Sequence, residues 1–119
     1  MTKLSKWSKK IGPALTLAWI TTALPAFSAV DEEAARNLAK KSDCFKCHTV
    51  DTKKDGPAYR EVAKKWRGKP DAEAKLYTHM TTSPKVKIDG EEEKHQMVKS
   101  KVEAEVMNLV RFILALPNP

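Results

Sequence analysis

The only two cysteines of the chain, Cys44 and Cys47, stand three positions apart and are followed directly by His48. This C-x-x-C-H pattern is the attachment signature of c-type haem, in which both thiols add to vinyl groups and the histidine coordinates the iron. Two cysteines on one helical turn reach neighbouring edges of the macrocycle. We therefore predict one covalently attached haem c, with His48 as an iron ligand.

Three other uses of these side chains are open: a disulfide between the two cysteines, a thioredoxin-like redox pair and a zinc site. Thioredoxin-like chemistry expects a βαβ context, which this helical sequence lacks. A zinc site needs four ligands, and no second cysteine pair or closely spaced histidine pair occurs, since His79 and His95 are sixteen positions apart. The haem is thus favoured over the disulfide and the zinc site.

The first 28 residues have the pattern of a secretory signal peptide. Four lysines within residues 1–10 precede an uncharged apolar stretch at 11–24, and small residues surround Phe27 before a cleavage position after Ser28. The apolar stretch is shorter than the roughly 20 residues that span a bilayer, so a retained membrane anchor is the less favoured alternative. We expect residues 1–28 to be cleaved and residues 29–119 to form one periplasmic domain.

Removal of residues 1–28 changes the net charge of the protein, and this net charge indicates which classes of partner it can bind. The whole chain has 22 Lys+Arg and 15 Asp+Glu, a formal net charge of +7. Four of the basic residues and none of the acidic ones lie in residues 1–28. The cleaved domain therefore keeps 18 Lys+Arg and 15 Asp+Glu, a formal net charge of +3. This mixed surface lacks the basic stripe of a nucleic-acid-binding protein. Nucleic acid is therefore excluded as a partner.

Hydrophobic periodicity predicts an all-α domain of about four short helices. The first begins after Asp31, which is a good N-cap, and runs to about Lys41. The last has a capping-box pattern at Ser100 and Glu103, followed by an apolar stripe that Pro117 ends. These two segments carry the clearest helical signals of the chain.

The middle of the chain has weaker signals. One helix is expected from Pro57, as its first residue, to Gly68, and another from Pro70 to about Met80. Residues 84–99 show neither helical nor strand periodicity and no β-hairpin signature, which predicts a long loop. Four short helices bury a marginal core, so a prosthetic group that fills the middle is favoured.

The chain resembles the small bacterial class I cytochromes c, which carry a single haem. The resemblance rests on Cys44–His48, on Gly56–Tyr59 shortly after it, on the helix that follows Asp31 and on residues 108–116 near the end. It covers essentially all of residues 29–119 and implies the small cytochrome c fold. In that fold the first and last helices cross.

The resemblance also implies the surroundings of the iron. In the family a proline carbonyl accepts a hydrogen bond from the iron-ligating histidine, which assigns this role to Pro57 beside His48. The family's sixth ligand is a methionine from the loop before the last helix, which points to Met97. Here that loop lacks the usual proline, and His95 stands two residues earlier, so ligation by His48 and His95 is the alternative. Methionine ligation raises the reduction potential, and imidazole lowers it.

The implied function is that of a periplasmic electron carrier and not of an enzyme, a monomer that forms transient complexes with redox proteins. Two alternatives are a haem-bearing subunit of a larger periplasmic oxidoreductase and a haem enzyme or ligand sensor with an open sixth position. No distal acid–base group supports the latter. Lysines that flank the motif either steer acidic partners or are ordinary solvated side chains: Lys40, Lys41, Lys46, Lys53 and Lys54.

Overall fold

The computed structural model describes Gly12 and residues 29–119, so the predicted cleavage after Ser28 lies outside the described residues. The elements, in chain order, are α1 (Glu32–Lys41), a 3₁₀ turn (Cys44–Lys46), α2 (Tyr59–Trp66), α3 (Ala72–Thr82), β1 (Lys85–Ile88), β2 (Glu91–Lys94) and α4 (Glu103–Ala115). The four predicted helices are confirmed, and a small two-stranded sheet is added to them. Among residues 29–119, no helix combines the length and apolar composition that crossing a membrane requires.

Helix α1 begins and ends where its sequence predicts. The Asp31 carboxylate accepts a hydrogen bond from the backbone N–H of Ala34 at 2.9 Å, which satisfies a donor that the first helical turn leaves free. Acidic residues lie in the first turn and basic residues in the last, and both complement the helix dipole.

The core is formed mainly where α1 meets α4. Ala35 and Ala39 of α1 are completely buried, and their small side chains let the two helices approach closely. The predicted contact between the first and last helices is thus confirmed. The buried cluster consists of Ala35, Leu38, Ala39, Tyr59, Ala63, Leu109, Phe112, Ile113 and Leu116.

A polar contact fastens the start of α1 to the middle of α4. The side-chain oxygen of Asn108 accepts from the Asp31 N–H at 2.9 Å, and its amide nitrogen donates to the Asp31 carbonyl at 2.8 Å. One side chain therefore satisfies both backbone groups of the residue that caps α1. This contact sets the position of α1 along α4.

The start of α4 differs from its prediction. The helix begins at Glu103 with Val102 as N-cap, so Ser100 lies outside it and the Ser100–Glu103 capping box is wrong. The Ser100 hydroxyl instead accepts from the Val102 N–H at 3.1 Å and donates to the Glu105 carboxylate at 2.6 Å. A serine that bonds the backbone two residues ahead forms a turn, which competes with helix at that position.

Residues 84–99 contain a β-hairpin, so the prediction of a long loop is wrong. Strands β1 and β2 pair antiparallel, and Asp89 and Gly90 connect them with φ values of 51° and 90°. Positive φ at both central residues is the geometry of a tight hairpin turn, for which Asp-Gly is a strong signal. Strand β2 is exposed along its whole length and carries three glutamates, so the alternation that reveals a half-buried strand is absent.

Candidate functional site

The C-x-x-C-H segment forms a tight turn directly after α1. The backbone N–H groups of Cys47 and His48 both donate to the Cys44 carbonyl, at 3.2 and 2.9 Å. Both cysteines are half-buried, and their thiols are free. The pKa of the Cys44 thiol is raised, mainly by burial, so it remains protonated at neutral pH. The turn therefore presents two reduced sulfurs and an imidazole within five consecutive residues.

The His48 ring is held by the backbone of the next segment. Its Nδ1 lies 2.8 Å from the Pro57 carbonyl oxygen, to which it donates, so the hydrogen bond implied by the resemblance is present. Helix α2 begins at Tyr59 and not at Pro57, which corrects the predicted start. A proton on Nδ1 leaves Nε2 with a lone pair, as a metal-ligating histidine requires.

Gly56 lies against the face of the His48 ring. A Cβ at this position would be 2.5 Å from Cε1 and 2.7 Å from Nδ1 of the ring, closer than side-chain carbons pack. The Gly56 N–H also donates to the Cys47 carbonyl at 2.7 Å. Sequence reasoning used Gly56 only as part of a motif and missed this contact. The sequence signal that could have indicated this contact is the glycine directly before Pro57, because glycine allows a close approach to the backbone.

Aromatic rings pack beside His48. The Tyr59 ring centroid is 5.3 Å from that of His48, with 26° between the ring planes. The ring centroid of Phe45 lies 6.0 Å from that of Tyr59, and Phe45 packs against the core. Burial raises the pKa of the Tyr59 phenol well above its ordinary value, so the phenol is neutral. The imidazole therefore lies in largely apolar surroundings.

The hairpin brings His95 close to His48. Directly after β2, the His95 N–H donates to the Pro84 carbonyl at 2.8 Å, and the Ser83 hydroxyl donates to the His95 carbonyl at 2.6 Å. The His95 ring centroid lies 6.0 Å from that of His48 and 4.3 Å from that of His79. His79 is half-buried and completes a row of three imidazoles.

The surroundings of His95 favour its neutral form. Burial, followed by the positive charges of His79 and His48, lowers the pKa of His95 to about 4. Within the part of the chain that the structure describes, its buried Nδ1 has no hydrogen-bond partner. A buried polar atom without a partner is uncommon in proteins, and an absent ion or cofactor is one physical explanation. A neutral imidazole is also the form that binds metals.

Met97 lies on the segment between the hairpin and α4, as predicted, and 48% of its surface is exposed. The next residue, Val98, donates its N–H to the Met80 carbonyl at 3.0 Å, which links this segment to α3. Met80 packs against the core, and Met107 lies within α4.

Two contacts fasten the segment after His95 to the residues that precede Cys44. The completely buried hydroxyl of Ser42 accepts from the Lys99 N–H at 2.8 Å. The Lys99 ammonium donates to the Asp43 carboxylate, and hydrogen bonds from Lys99 and Lys46 lower the pKa of Asp43. The two sides of the site are therefore held at a defined separation.

These residues fit a covalently attached haem. Two free thiols are available for thioether bonds, the orientation and tautomer of His48 are set by Pro57, and Gly56 leaves room for the ring. Between residues 29 and 119, no group of three or more His, Cys, Asp or Glu side chains could hold a metal ion, so the zinc alternative has no support there.

Comparisons with curated proteins agree with this fit. Cytochrome c-552 of Hydrogenobacter thermophilus is 51% identical over 39 residues, which cover 33% of this chain and 40% of that protein. Cytochrome c-551 of Pseudomonas aeruginosa is also 51% identical over 39 residues, which cover 33% of this chain and 38% of that protein. Cytochrome c-552 of Nitrosomonas europaea is 42% identical over 57 residues, covering 46% and 55%. The matches thus span about two fifths to just over half of these relatives.

Solved structures and the family profile cover more of the chain. The class 1 cytochrome MtoD of Sideroxydans lithotrophicus ES-1 is 52% identical with a TM-score of 0.70, covering 73% of this chain and 97% of that one. Cytochrome c552 of Nitrosomonas europaea is 29% identical with a TM-score of 0.54, covering 67% and 96%. Residues 32–117 match the profile of the family described as Cytochrome c. The chain therefore belongs to the cytochrome c family, as a small class I cytochrome with one covalently attached haem c.

Proposed function

We propose that this protein is a periplasmic electron carrier that passes single electrons between redox proteins. When bound, the haem supplies one-electron chemistry through its ferric and ferrous states. Cys44 and Cys47 hold it covalently, and His48 ligates its iron. The observation that carries the proposal is the hydrogen bond from His48 Nδ1 to the Pro57 carbonyl, because it sets the orientation of the ring and leaves Nε2 free to bind iron.

We further propose His95 as the sixth ligand, with Met97 as the alternative. Two imidazoles that bind one metal atom from opposite sides have ring centres about 6 Å apart, because each metal–nitrogen bond is about 2 Å. The 6.0 Å between the ring centroids of His48 and His95 agrees with this arrangement. The unpartnered Nδ1 of His95 supports the same choice.

The sixth ligand decides which partners the protein can serve. Replacing a thioether by an imidazole removes the stabilisation of the ferrous state by methionine, so the reduction potential is lower than in a Met/His cytochrome. A filled sixth position also keeps small molecules from the iron, which separates a carrier from an enzyme or a gas sensor. We therefore propose an electron carrier with a lower reduction potential than a Met/His cytochrome, which exchanges electrons with partners of matching potential.

Spectroscopy of the oxidised holoprotein tests the ligand assignment. We expect the wild type to show a low-spin bis-imidazole signal in electron paramagnetic resonance, retained in Met97→Ala and lost in His95→Ala. Voltammetry is expected to give one reversible one-electron wave. A sulfur-to-iron charge-transfer band that disappears only in Met97→Ala would establish Met97 instead. A high-spin wild type would contradict both ligands and favour an open-site enzyme or sensor.

Export is the part of the proposal that rests on residues 1–28. Their lysines, apolar stretch and small residues near Ser28 support cleavage by a signal peptidase. We expect protein recovered from the periplasmic fraction of a bacterial host to begin at Ala29, as read from its intact mass with one haem added. Recovery in the membrane fraction with residues 1–28 still attached would contradict cleavage and indicate an anchored protein.

A further inference from the structure

Three lysine ammonium groups surround one indole ring. The Nζ atoms of Lys65, Lys69 and Lys75 lie 5.7, 4.9 and 5.5 Å from the centroid of the Trp66 ring. Each is within the range of a cation–π interaction, so the half-buried ring holds together three charges that repel one another. We call these four residues the Trp66 surface.

The backbone brings these side chains together at one corner of the fold. Lys65 and Trp66 lie in the last turn of α2, Lys69 in the connection and Lys75 one turn inside α3. A shallow groove of about 350 Å³ runs beside the ring and is bounded by Pro70 and other residues. Part of the ring remains accessible, which gives the surface an aromatic centre with cations around it.

The positive charge of this surface is largely uncompensated. Asp71 pairs with Lys75 at 2.8 Å, and Glu73 is held by the guanidinium of Arg111, with both contacts at 3.2 Å. In the described part of the chain, the other two ammonium groups at Trp66 have no carboxylate within salt-bridge distance. Asp71 and Glu73 are thus engaged, and the ammonium groups of Lys65 and Lys69 are left without an ion-pair partner.

The Trp66 surface adjoins the histidine row of the haem site. Lys75 and His79 are four residues apart on α3, which places them on one helix face. His79 in turn lies 4.3 Å from His95. An anion bound at Trp66 would therefore be near the side of the site that His95 occupies.

We propose that the Trp66 surface is the docking site for an acidic segment of a redox partner protein. The proposal rests on the proposed electron-carrier function and names the surface that contacts the partner. Carboxylates complement the uncompensated lysines, and a partly exposed tryptophan is the residue type that most often anchors an interface. Steering of this kind raises the rate of encounter at low ionic strength.

The lysines that flank the C-x-x-C-H motif form the competing surface. Lys46 already pairs with Asp43 at 3.2 Å, and the ammonium of Lys54 lies 3.5 Å from the Phe45 carbonyl. Asp55 follows Lys54 directly in the sequence, whereas Asp51 is paired with Arg60. In the described part of the chain the other flanking lysines also have no carboxylate within salt-bridge distance, so the Trp66 surface differs from this one by the aromatic ring that gathers its three ammonium groups and not by a larger uncompensated charge.

A binding map that involves no electron transfer tests the docking site. We expect hexaglutamate, added to the ferrous holoprotein at low ionic strength, to shift the amide resonances of residues 65–69 and of Lys75 most strongly, together with the indole N–H of Trp66. Shifts centred on Lys46, Lys53 and Lys54 would overturn the proposal. So would the absence of any localised shift, because an acidic segment would then have no preferred site.

Kinetics with an anionic oxidant test the role of the surface in electron transfer. Lys65→Glu with Lys69→Glu and, for comparison, Lys53→Glu with Lys54→Glu change the net charge equally. We expect oxidation of the ferrous protein by ferricyanide at low ionic strength to slow about tenfold in the first variant and clearly less in the second. High salt should remove the difference. Equal slowing, or greater slowing in the second variant, would overturn the proposal.

Two further results keep the docking proposal and the electron-carrier function distinguishable. Lys65→Gln with Lys69→Gln removes half as much charge, and we expect an intermediate rate from it even if the glutamate variant folds poorly. Its unchanged rate would count against the docking site. A wild-type protein that ferricyanide cannot oxidise at all would contradict the electron-carrier function, whatever the hexaglutamate map shows.

Discussion

Replacing both Cys44 and Cys47 by alanine is expected to abolish covalent haem attachment and to leave a chain that does not fold stably. The two thioether bonds require these sulfurs, and the described part of the chain has no other cysteine. The protein core joins short helices through a small set of buried side chains, several of which are alanines. A domain with so little apolar burial depends on its prosthetic group for much of its stability.

Haem extraction under denaturing conditions measures this effect. We expect the wild type to retain one haem per chain after treatment with acidified organic solvent, and the double variant to retain none. Far-ultraviolet circular dichroism of the variant should show a large loss of helix. The single variants Cys44→Ala and Cys47→Ala are the matched controls, because each keeps one thioether. A double variant that retains its haem after denaturation would contradict the assignment of the attachment site.

Gly56→Ala is expected to disturb the histidine ligand and to lower the free energy of unfolding by about 1–3 kcal/mol. The added Cβ would lie 2.5 Å from the Cε1 atom of His48, so either the ring or the Gly56 backbone must move. Movement of the ring weakens its hydrogen bond to the Pro57 carbonyl and tilts the ligand. We therefore expect a changed ligand-field spectrum in the variant as well as a lower denaturation midpoint in guanidinium chloride.

Gly68→Ala separates this steric effect from the general cost of replacing a glycine. Gly68 has a φ of +76° and no atom within 4 Å of a Cβ added there, so its substitution causes backbone strain without a clash. We expect a loss of about 1 kcal/mol and an unchanged ligand-field spectrum. If Gly56→Ala left the spectrum unchanged and cost no more than Gly68→Ala, the proposed contact with the His48 ring would be wrong.

The parts of the fold that could be predicted depend on local interactions. Asp31 caps α1 as expected because an aspartate before a helix satisfies a nearby N–H whatever surrounds it. The buried face of α4 was also predictable, because apolar residues that recur with the helical period show which face of a helix is buried. The hairpin at residues 85–94 was missed although Asp89-Gly90 is a strong turn signal and Val86 and Ile88 alternate with lysines in β1. Its second strand, β2, consists of three glutamates and a lysine and is exposed along its whole length, so that strand leaves no hydrophobic pattern to read.

Within the site, the role of one histidine could be predicted from the sequence, whereas the position of another could not. His48 follows Cys47 directly, so its role could be read from adjacent residues. The relation of His95 to His48 joins positions far apart in the chain and depends on the hairpin, whose base holds His95 against Pro84. The contact with His79 depends further on the packing of α3. Sequence reasoning could name His95 as an alternative ligand, but it had no means of measuring its separation from His48.

The sequence by itself determined the chemistry of attachment, the four helices and the family to which the chain belongs, because each rests on residues that act within a few positions of one another. Only the tertiary structure decided which groups from separate segments meet: Gly56 against His48, His95 beside His79, and Lys75 of α3 beside Trp66 of α2. The physical reason is that these contacts form only when separate elements pack together. Distances between such elements are set by the whole core and not by any local pattern.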